Sequence, residues 1–589
     1  MIETKFRWKK LIRDVLNKIA GLKGIIGDSF SENDVIIQTP PRPELGDLAF
    51  PMFPYAKKLR ASPLEIAELV SIELNKNKDS LLSAEVVNEG PYINIKLPKS
   101  NFSKYTLHKI LNEKTKFGTS QTLAGQKIML EFSCPNTNKP LHLGHLRNDA
   151  IGESVSNILK ANGAEVRKVN LINDRGIHIC KSMLAYQKFG KGSDPESEGV
   201  KGDHFVGKFY VMFDKWAREN IDAENRAREL LLRWERGDPE ITELWRRMNN
   251  WAVSGINETY RRTGVSFDKV YYESETYGRG KEEVLKGLER KIFYRDEEST
   301  IWVDLKEIDL DKKVLLRKDG TSLYLTQDVG TAVIRHEDWP FDRLIYVVAS
   351  EQKYHFIVLF YVLKKLGFEW AENLYHLSYG MVNLPEGKMK SREGTVVDAD
   401  NLLDQLIAIA TEEIKSRGRE KEVKNLKQTS EKIAMGALNY YLLQVSPSKD
   451  MIFIPEESIS FTGNTGPYLQ YMGARISSML RKFEDRKDKF KDGAFKPELL
   501  TVKEEWEIVK LLAMYPEETE KAAEELNPSI ITNYLYNLSR VFSRYYHDNP
   551  VLHNKDPNLV VTRITLVKAV LQVLKNAFIL VGIPFLENM

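Results

Sequence analysis

At 589 residues, with 42% hydrophobic and 29% charged side chains, the chain is ordinary in composition and long enough for roughly three or four globular domains. A net charge of +3 excludes a histone-like polycation, so any nucleic-acid surface must come from local clustering of Lys and Arg. Cys134 and Cys180 are the only cysteines, which excludes a disulfide scaffold and a four-cysteine zinc module, and apolar runs stop short of the roughly 18 residues that a transmembrane helix needs.

The N-terminal MIETKFRWKKLIRDVLNKIAGLKG is basic and amphipathic, but it carries Glu3 and Asp14 and has no continuous apolar core. It reads as a first helix rather than a transit peptide, and a cytoplasmic location is the expectation. Residues 1–117 form a separable α+β unit: short helices over Lys57–Leu59 and Leu64–Asn75, then a hairpin in AEVVNEGPYINIKL, turning at Gly90-Pro91. Tyr92 and Asn94 on that hairpin read either as a surface contact pair or as buried strand residues.

From 118 to 445 strands and helices alternate. Lys127–Phe132 (KIMLEF) has the apolar run of a buried parallel strand, and a helical pattern through Leu146, Ala150, Val155, Ile158 and Leu159 stops at Asn162-Gly163. Between them stands EFSCPNTNKPLHLGHLR, a strand, a tight turn and a helix start carrying His142, Gly144 and His145. Unpaired N–H groups and the positive dipole end suit this place to an anion. A metal is not expected, because the HExxH glutamate is missing. Glu165–Ile172 supplies a second strand, giving a right-handed βαβ unit and hence a doubly wound sheet with its ligand at the strands' carboxyl ends. Residues 190–260 turn charged and helical, as an insertion. Within it GDHFVGK mimics a phosphate-binding loop, but Phe209 replaces the Ser/Thr and no strand precedes it. In LLRKDGTSLYLTQDV, Asp319-Gly320 predicts a hairpin turn and Tyr324-Leu325-Thr326 alternates as a strand would. Leu344–Ala349 is a further buried strand, and KMKSREGT (388–395) is a basic loop suited to clamping phosphate. Residues 402–432 read as a charged bridging helix. Beyond 446 the chain is helical over 504–514, 527–547 and 559–582, with Tyr534, Tyr536, Phe542, Tyr545 and Tyr546 near Arg540, Arg544 and Arg563. These aromatics suit either a core or base stacking.

HLGH after NKP, with KMKSR far downstream, resembles the two signatures of class I aminoacyl-tRNA synthetases. EFSCPNTNKPLHLGHLRN, DGTSLYLTQDVGTA, SEQKYHF and TGPYLQYMGARI are similar to the arginyl-tRNA synthetase family, as are GDLAF, GPYIN and VGIPFLENM at the ends. The resemblance implies a Rossmann-like α/β catalytic domain over 118–445, a tRNA-elbow (D-loop) domain over 1–117 and an all-α anticodon-binding domain over 446–589. It implies an arginine pocket of Glu131, Asn136, Tyr324, Asp328 and Gln352. His142 and His145 act on the ATP phosphates with Lys388; Pro140, Gly144, His355, Met381, Val382, Ser391 and Arg392 complete the nucleotide site. Tyr92, Asn94, Tyr468, Gln470 and Tyr471 are implied tRNA contacts. Substrates are ATP with Mg²⁺, L-arginine and tRNA(Arg); a monomer is expected, with no protein-bound zinc, DNA or membrane.

Two departures stand out. The usual second lysine of the KMSK signature is replaced by Ser391, and Lys139, just before the HLGH, is the expected substitute cation. The family's DWGxQFG reads NDRGIHICK here, leaving Arg175 and His178 without an assigned role. Small HxGH nucleotidyltransferases lack a large helical C-terminus, and a cysteinyl enzyme would need zinc ligands that two cysteines cannot supply. A synthetase-derived RNA-binding protein would have lost a signature histidine or Asp328, and all are present.

Overall fold

The structure is a computed structural model describing residues 1–25, 29–76, 84–383, 385, 397–420 and 423–589. Lys388, Ser391 and Arg392 lie outside the described residues. The chain forms two compact units, one of residues 1–118, 475–518 and 534–576, the other of 119–474, 519–533 and 577–589.

In the first unit the helix Ile2–Leu22 buries Trp8, Ile12, Leu16 and Ile19 at helical spacing. Strands β1 (Leu48–Pro51), β2 (Glu85–Glu89) and β3 (Tyr92–Lys96) form an antiparallel sheet in the order β1-β3-β2. The helices Lys503–Glu524, Ser529–Asp548 and Pro557–Leu580 contribute to this unit. Pro557–Leu580 has a mean hydropathy of 1.3, so one described helix is long and apolar enough to cross a membrane, contrary to the expectation that apolar runs are too short. Its Val560, Ile564, Val567, Val570 and Leu574 are buried as bundle core. Tyr534, Phe542 and Tyr545 are core as well, and buried Arg563 pairs with Glu505 at 2.9 Å. These aromatics are therefore not available for base stacking.

The second unit is built on a five-stranded parallel sheet: β4 (Lys127–Glu131), β5 (Glu165–Ile172), β6 (Lys269–Tyr272), β10 (Arg343–Ala349) and β11 (Leu374–Tyr379), in the order β11-β10-β4-β5-β6. Strands β7 (Tyr294–Arg295), β8 (Ile301–Val303) and β9 (Lys313–Leu316) form a separate small sheet. The central strands are apolar on both faces, as helices on both sides require: Ile128, Met129, Leu130, Leu344, Ile345 and Val347 are buried. From β4 the chain winds outward through β5 and β6, then returns to β10 on β4's other side. This reversal opens a crevice at the carboxyl ends of β4 and β10.

The insertion is helical throughout, chiefly Gly202–Glu219, Ala223–Glu235 and Pro239–Thr263. GDHFVGK is the first part of such a helix, and its glycines serve packing. A Cβ on Gly207 would lie 2.9 Å from Pro140 Cδ, and one on Gly202 would collide with the Trp251 carbonyl. The expected strand at Tyr324 is instead the helix Tyr324–Asp338, whose Leu325, Val329, Ala332 and Val333 are buried at three- and four-residue spacing. The bridging helix is two helices, Ala399–Ser416 and Leu426–Leu443.

Candidate active site

The turn that leaves β4 is strained. Ser133 (φ 74°) and Cys134 (φ 48°) are consecutive non-glycine residues in the left-handed region. Buried side chains hold them there: Ser133 N–H donates to Asn148 Oδ1 (2.6 Å) and Cys134 N–H to Asn170 Oδ1 (3.0 Å). The chain then passes Asn136, bridged to Asn173, and enters the helix Leu143–Ala161.

At the start of that helix the two histidines cap it. Gly144 N–H donates to His142 Nδ1 (3.1 Å), and His142 N–H donates to His145 Nδ1 (3.1 Å). The ring centroids are 4.0 Å apart. The expectation of free backbone N–H groups is thus corrected, since those of His142 and Gly144 are satisfied inside the cap. Accepting at Nδ1 assigns the proton of each neutral ring to Nε2, so the site presents two imidazole N–H donors in their place. Burial and then the charge of Lys139 lower His142 to about 4; burial, His142 and Lys139 hold His145 well below the usual histidine value. Both rings are neutral at pH 7. Lys139 itself is pushed down by burial. Pro140 and Lys139 pack against Gly207 of the insertion.

Arg147, one turn further, went unnoticed in the sequence. It is fully buried and donates to the carbonyls of Gly380 (2.6 Å), Met381 (3.1 Å) and Lys449 (2.7 Å). Met381 N–H donates to Asp450 Oδ1 (2.7 Å), and its carbonyl also accepts from Met451 N–H (2.9 Å). Both backbone groups of Met381 are therefore engaged within the protein. Val382 begins the two-residue strand Val382–Asn383, paired with Met451–Ile452.

Across the crevice, the helices Glu273–Glu289 and Tyr324–Asp338 touch backbone to backbone at Gly280 and Gly330. This places Tyr324, Asp328 and Glu273 near one another. Glu131, at the end of β4, is buried and ion-paired with Arg335, which is itself fully buried. Asp328 Oδ2 meets His355 Nε2 at 2.6 Å, joining a residue expected on the arginine side to one expected on the nucleotide side. Tyr324 is 65% exposed, and Gln352 is exposed in the turn after β10.

Glu273 was also missed. It is 5% exposed, and burial raises it to about 8 against the lowering effect of Arg175. Arg175 pairs with Glu235 (2.7 Å) and lies 4.1 Å from the Tyr277 ring centre, while Asp174 accepts from Ser274 N–H (2.9 Å) at a helix start. His178 lies 3.3 Å from Tyr210 OH. The departing NDRGIHICK loop thus fastens the insertion to the helix after β6.

Residues 397–399 lie against the histidine turn: Leu143 N–H donates to the Val397 carbonyl (3.0 Å) and Ala399 N–H to the Leu141 carbonyl (3.0 Å). Asp398 faces His204 Nε2 (3.2 Å), and Asp400 holds Lys201 (2.5 Å) and Arg262 (2.7 Å). Among the described residues Asp203, His204 and Asp400 are the group spaced for a metal. Those cations occupy the carboxylates, and hydrogen bonds to Asp398 and Asp400 raise His204 to about 10, so the ring is a cation too.

The implied tRNA contacts fare unevenly. Asn94 is 3% exposed, so the buried-strand reading holds, while Tyr92 packs edge-on against Phe53. Gln470 is fully buried, its Nε2 donating to the carbonyls of Lys432 (2.9 Å) and Pro584 (2.8 Å), which corrects its assignment as a tRNA contact. Tyr468 and Tyr471 are half-buried, with Arg419 over the Tyr471 ring.

Residues 106–454 match the family model described as tRNA synthetases class I (R), catalytic domain. Residues 469–589 match the DALR anticodon binding domain, and 7–97 the Arginyl tRNA synthetase N terminal domain. The chain is 57% identical to an arginine–tRNA ligase of Treponema denticola, with all of both chains covered. It is 52% identical to one of Treponema pallidum and 46% to one of Borreliella burgdorferi, with 99% of each chain covered in both cases. Among solved structures, Thermus thermophilus arginyl-tRNA synthetase superposes with a TM-score of 0.76 at 23% identity, covering 99% of this chain and 100% of that one. The Plasmodium falciparum arginyl-tRNA synthetase gives 0.76 at 19% identity and 99% of both chains. At such identities these structures show the shared fold.

Proposed function

Since this chain belongs to the arginyl-tRNA synthetase family and is an arginine–tRNA ligase, we propose that the crevice between β4 and β10 is where ATP and L-arginine react. The observation that carries this is the self-capped histidine pair, two neutral Nε2–H donors beside Lys139, at the switch point of the sheet.

Arginine's guanidinium docks on Asp328, in fork geometry, with Tyr324, Asn136 and Gln352 around it. Glu131, paired with Arg335, belongs to the same arginine pocket and forms its floor. ATP arrives with Mg²⁺ as its counter-ion, its adenine toward Met381 and Val382 and its phosphates toward His142, His145, Gly144, Pro140 and Lys139. A carboxylate oxygen of arginine attacks the α-phosphorus; the α–β P–O bond breaks and pyrophosphate leaves. A ribose hydroxyl of the tRNA's terminal adenosine then attacks the adenylate carbonyl and expels AMP. Positioning and charge stabilisation carry the rate, and no protein nucleophile is needed. Lys388, Ser391 and Arg392 belong to the same reading, as do residues 1–117 at the tRNA elbow and 446–589 at the anticodon. The same reading takes the protein to be a cytoplasmic monomer without structural zinc.

ATP–pyrophosphate exchange with each amino acid, with and without tRNA(Arg), tests the reading; exchange driven by another amino acid overturns the arginine assignment. Lys139→Ala lowers exchange by about a hundredfold or more, as removal of a transition-state donor does. A near-normal rate would sink the role given to Lys139.

A further inference from the structure

The two acidic side chains assigned to the arginine pocket each hold a nitrogen group of the protein, in different ways. Glu131 and Arg335 are both buried out of reach of solvent. Asp328 and His355 keep 33% and 24% of their side chains accessible, and a single contact, Oδ2 to Nε2 at 2.6 Å, joins them. Asp328 stands in the helix Tyr324–Asp338, and His355 in the first turn of the helix Lys353–Lys365 that follows β10. The pair therefore joins two helices that pack against one another.

We propose that Asp328–His355 is an exchangeable latch that couples arginine binding to ATP binding. The inference rests on the assignment of Asp328 to the guanidinium and His355 to the nucleotide side. A guanidinium fork needs both carboxylate oxygens, and one is occupied by the imidazole. The fork offers two parallel charged donors where the ring offers one, so arginine displaces His355. The freed Nε2 then becomes available to the nucleotide. Conversely, a nucleotide that engages His355 first exposes Asp328. Each ligand removes a cost from the binding of the other, and the coupling is reciprocal. Without a nucleotide, the apparent arginine affinity is reduced by the fraction of molecules whose latch is closed.

The test is calorimetric titration of the full chain with arginine, with and without α,β-methylene-ATP, whose α–β bridge is not cleaved. In the wild type the analogue tightens arginine binding by about fivefold or more, the low end of measured couplings. In His355→Ala arginine alone binds about fivefold tighter than in the wild type, the analogue binds more weakly, and the coupling factor falls to about 1. A merely structural loss would weaken both ligands together. His355→Gln, which keeps a donor within reach of Asp328, retains part of the coupling. If the alanine variant does not fold, His355→Asn gives the same readout with a side chain too short to reach. Arginine affinity that is unchanged or weaker without the histidine, or coupling that persists, overturns the latch. Asp328→Asn separates the two levels. If it abolishes arginine binding while His355→Ala behaves as wild type, the latch is wrong and the pocket assignment stands. If Asp328→Asn binds arginine normally, the pocket assignment itself is wrong.

Discussion

The floor and the mouth of the crevice are built from related contacts, a carboxylate against a side-chain nitrogen, with opposite consequences. At the floor, Glu131 and Arg335 are sealed between β4 and the helix Tyr324–Asp338, with the Tyr271 and Tyr346 rings 5.2 and 6.0 Å from the guanidinium. Water cannot replace either partner, so each is obligatory to the other. At the mouth, solvent reaches both Asp328 and His355, and a ligand can compete. Burial, rather than the identity of the groups, decides which contact is closed to a ligand and which is open to one.

The largest test of that contrast is Arg335→Met. It leaves the Glu131 carboxylate buried and unpaired, and a loss of about 3–5 kcal/mol in unfolding free energy is expected by thermal or urea denaturation. Glu131→Gln in the same chain restores much of it. A single variant that melts with the wild type would break the distinction. Asp328→Asn is the complementary case: its arginine KM in pyrophosphate exchange rises about a hundredfold, while stability changes by about 1 kcal/mol or less, as for other accessible pairs. A third test uses pH. Histidine titrates near 6.5 in the unfolded chain and folded His142 near 4, so between those values the unfolded state binds the extra proton. Stability should then fall as pH drops from 6.5 toward 4, by about 1–2 kcal/mol allowing for partial solvent access, and be level above pH 7 on account of this group. His142→Asn should flatten that slope; an unaltered slope places the titration elsewhere. The smallest effect belongs to Gly207→Ala. The added methyl meets Pro140 at 2.9 Å and should cost about 1 kcal/mol of stability, and it should raise the KM for ATP by displacing Lys139 without changing that for arginine.

The parallel strands were legible because their signals are local: uninterrupted apolar runs of strand length closed by turn residues. The histidine turn was legible for the same reason, since a strand, a turn and a helix start follow one another within a few residues. The stretch from Tyr324 shows where local reading fails. LYLT alternates over four residues, yet Leu325 and Val329 lie one turn apart on a buried helical face, and packing against the Glu273 helix overrides the short alternation. Charged residues that end up inside were harder still. Arg335 sits in RHED and looks like a solvated helix end, although its spacing of seven from Asp328 puts it on the same face. Arg147 directly follows the histidine signature, but nothing nearby in sequence announces acceptors more than 200 positions away. Gln470 is misplaced and Asn94 left open between two readings for the complementary reason: a polar side chain on an amphipathic element carries no local mark of which way it faces.

The capping of the histidine helix by its own imidazoles bears on turnover. Two imidazolium groups would grip pyrophosphate most strongly after the bond has broken, when the departing group carries its full charge. Two neutral N–H donors held in place by Gly144 and His142 backbone groups are already oriented before the reaction and add no positive charge of their own. In the proposed reaction they would meet charge as it builds on the phosphates without adding to the positive charge that Lys139 brings, and so favour release of the product.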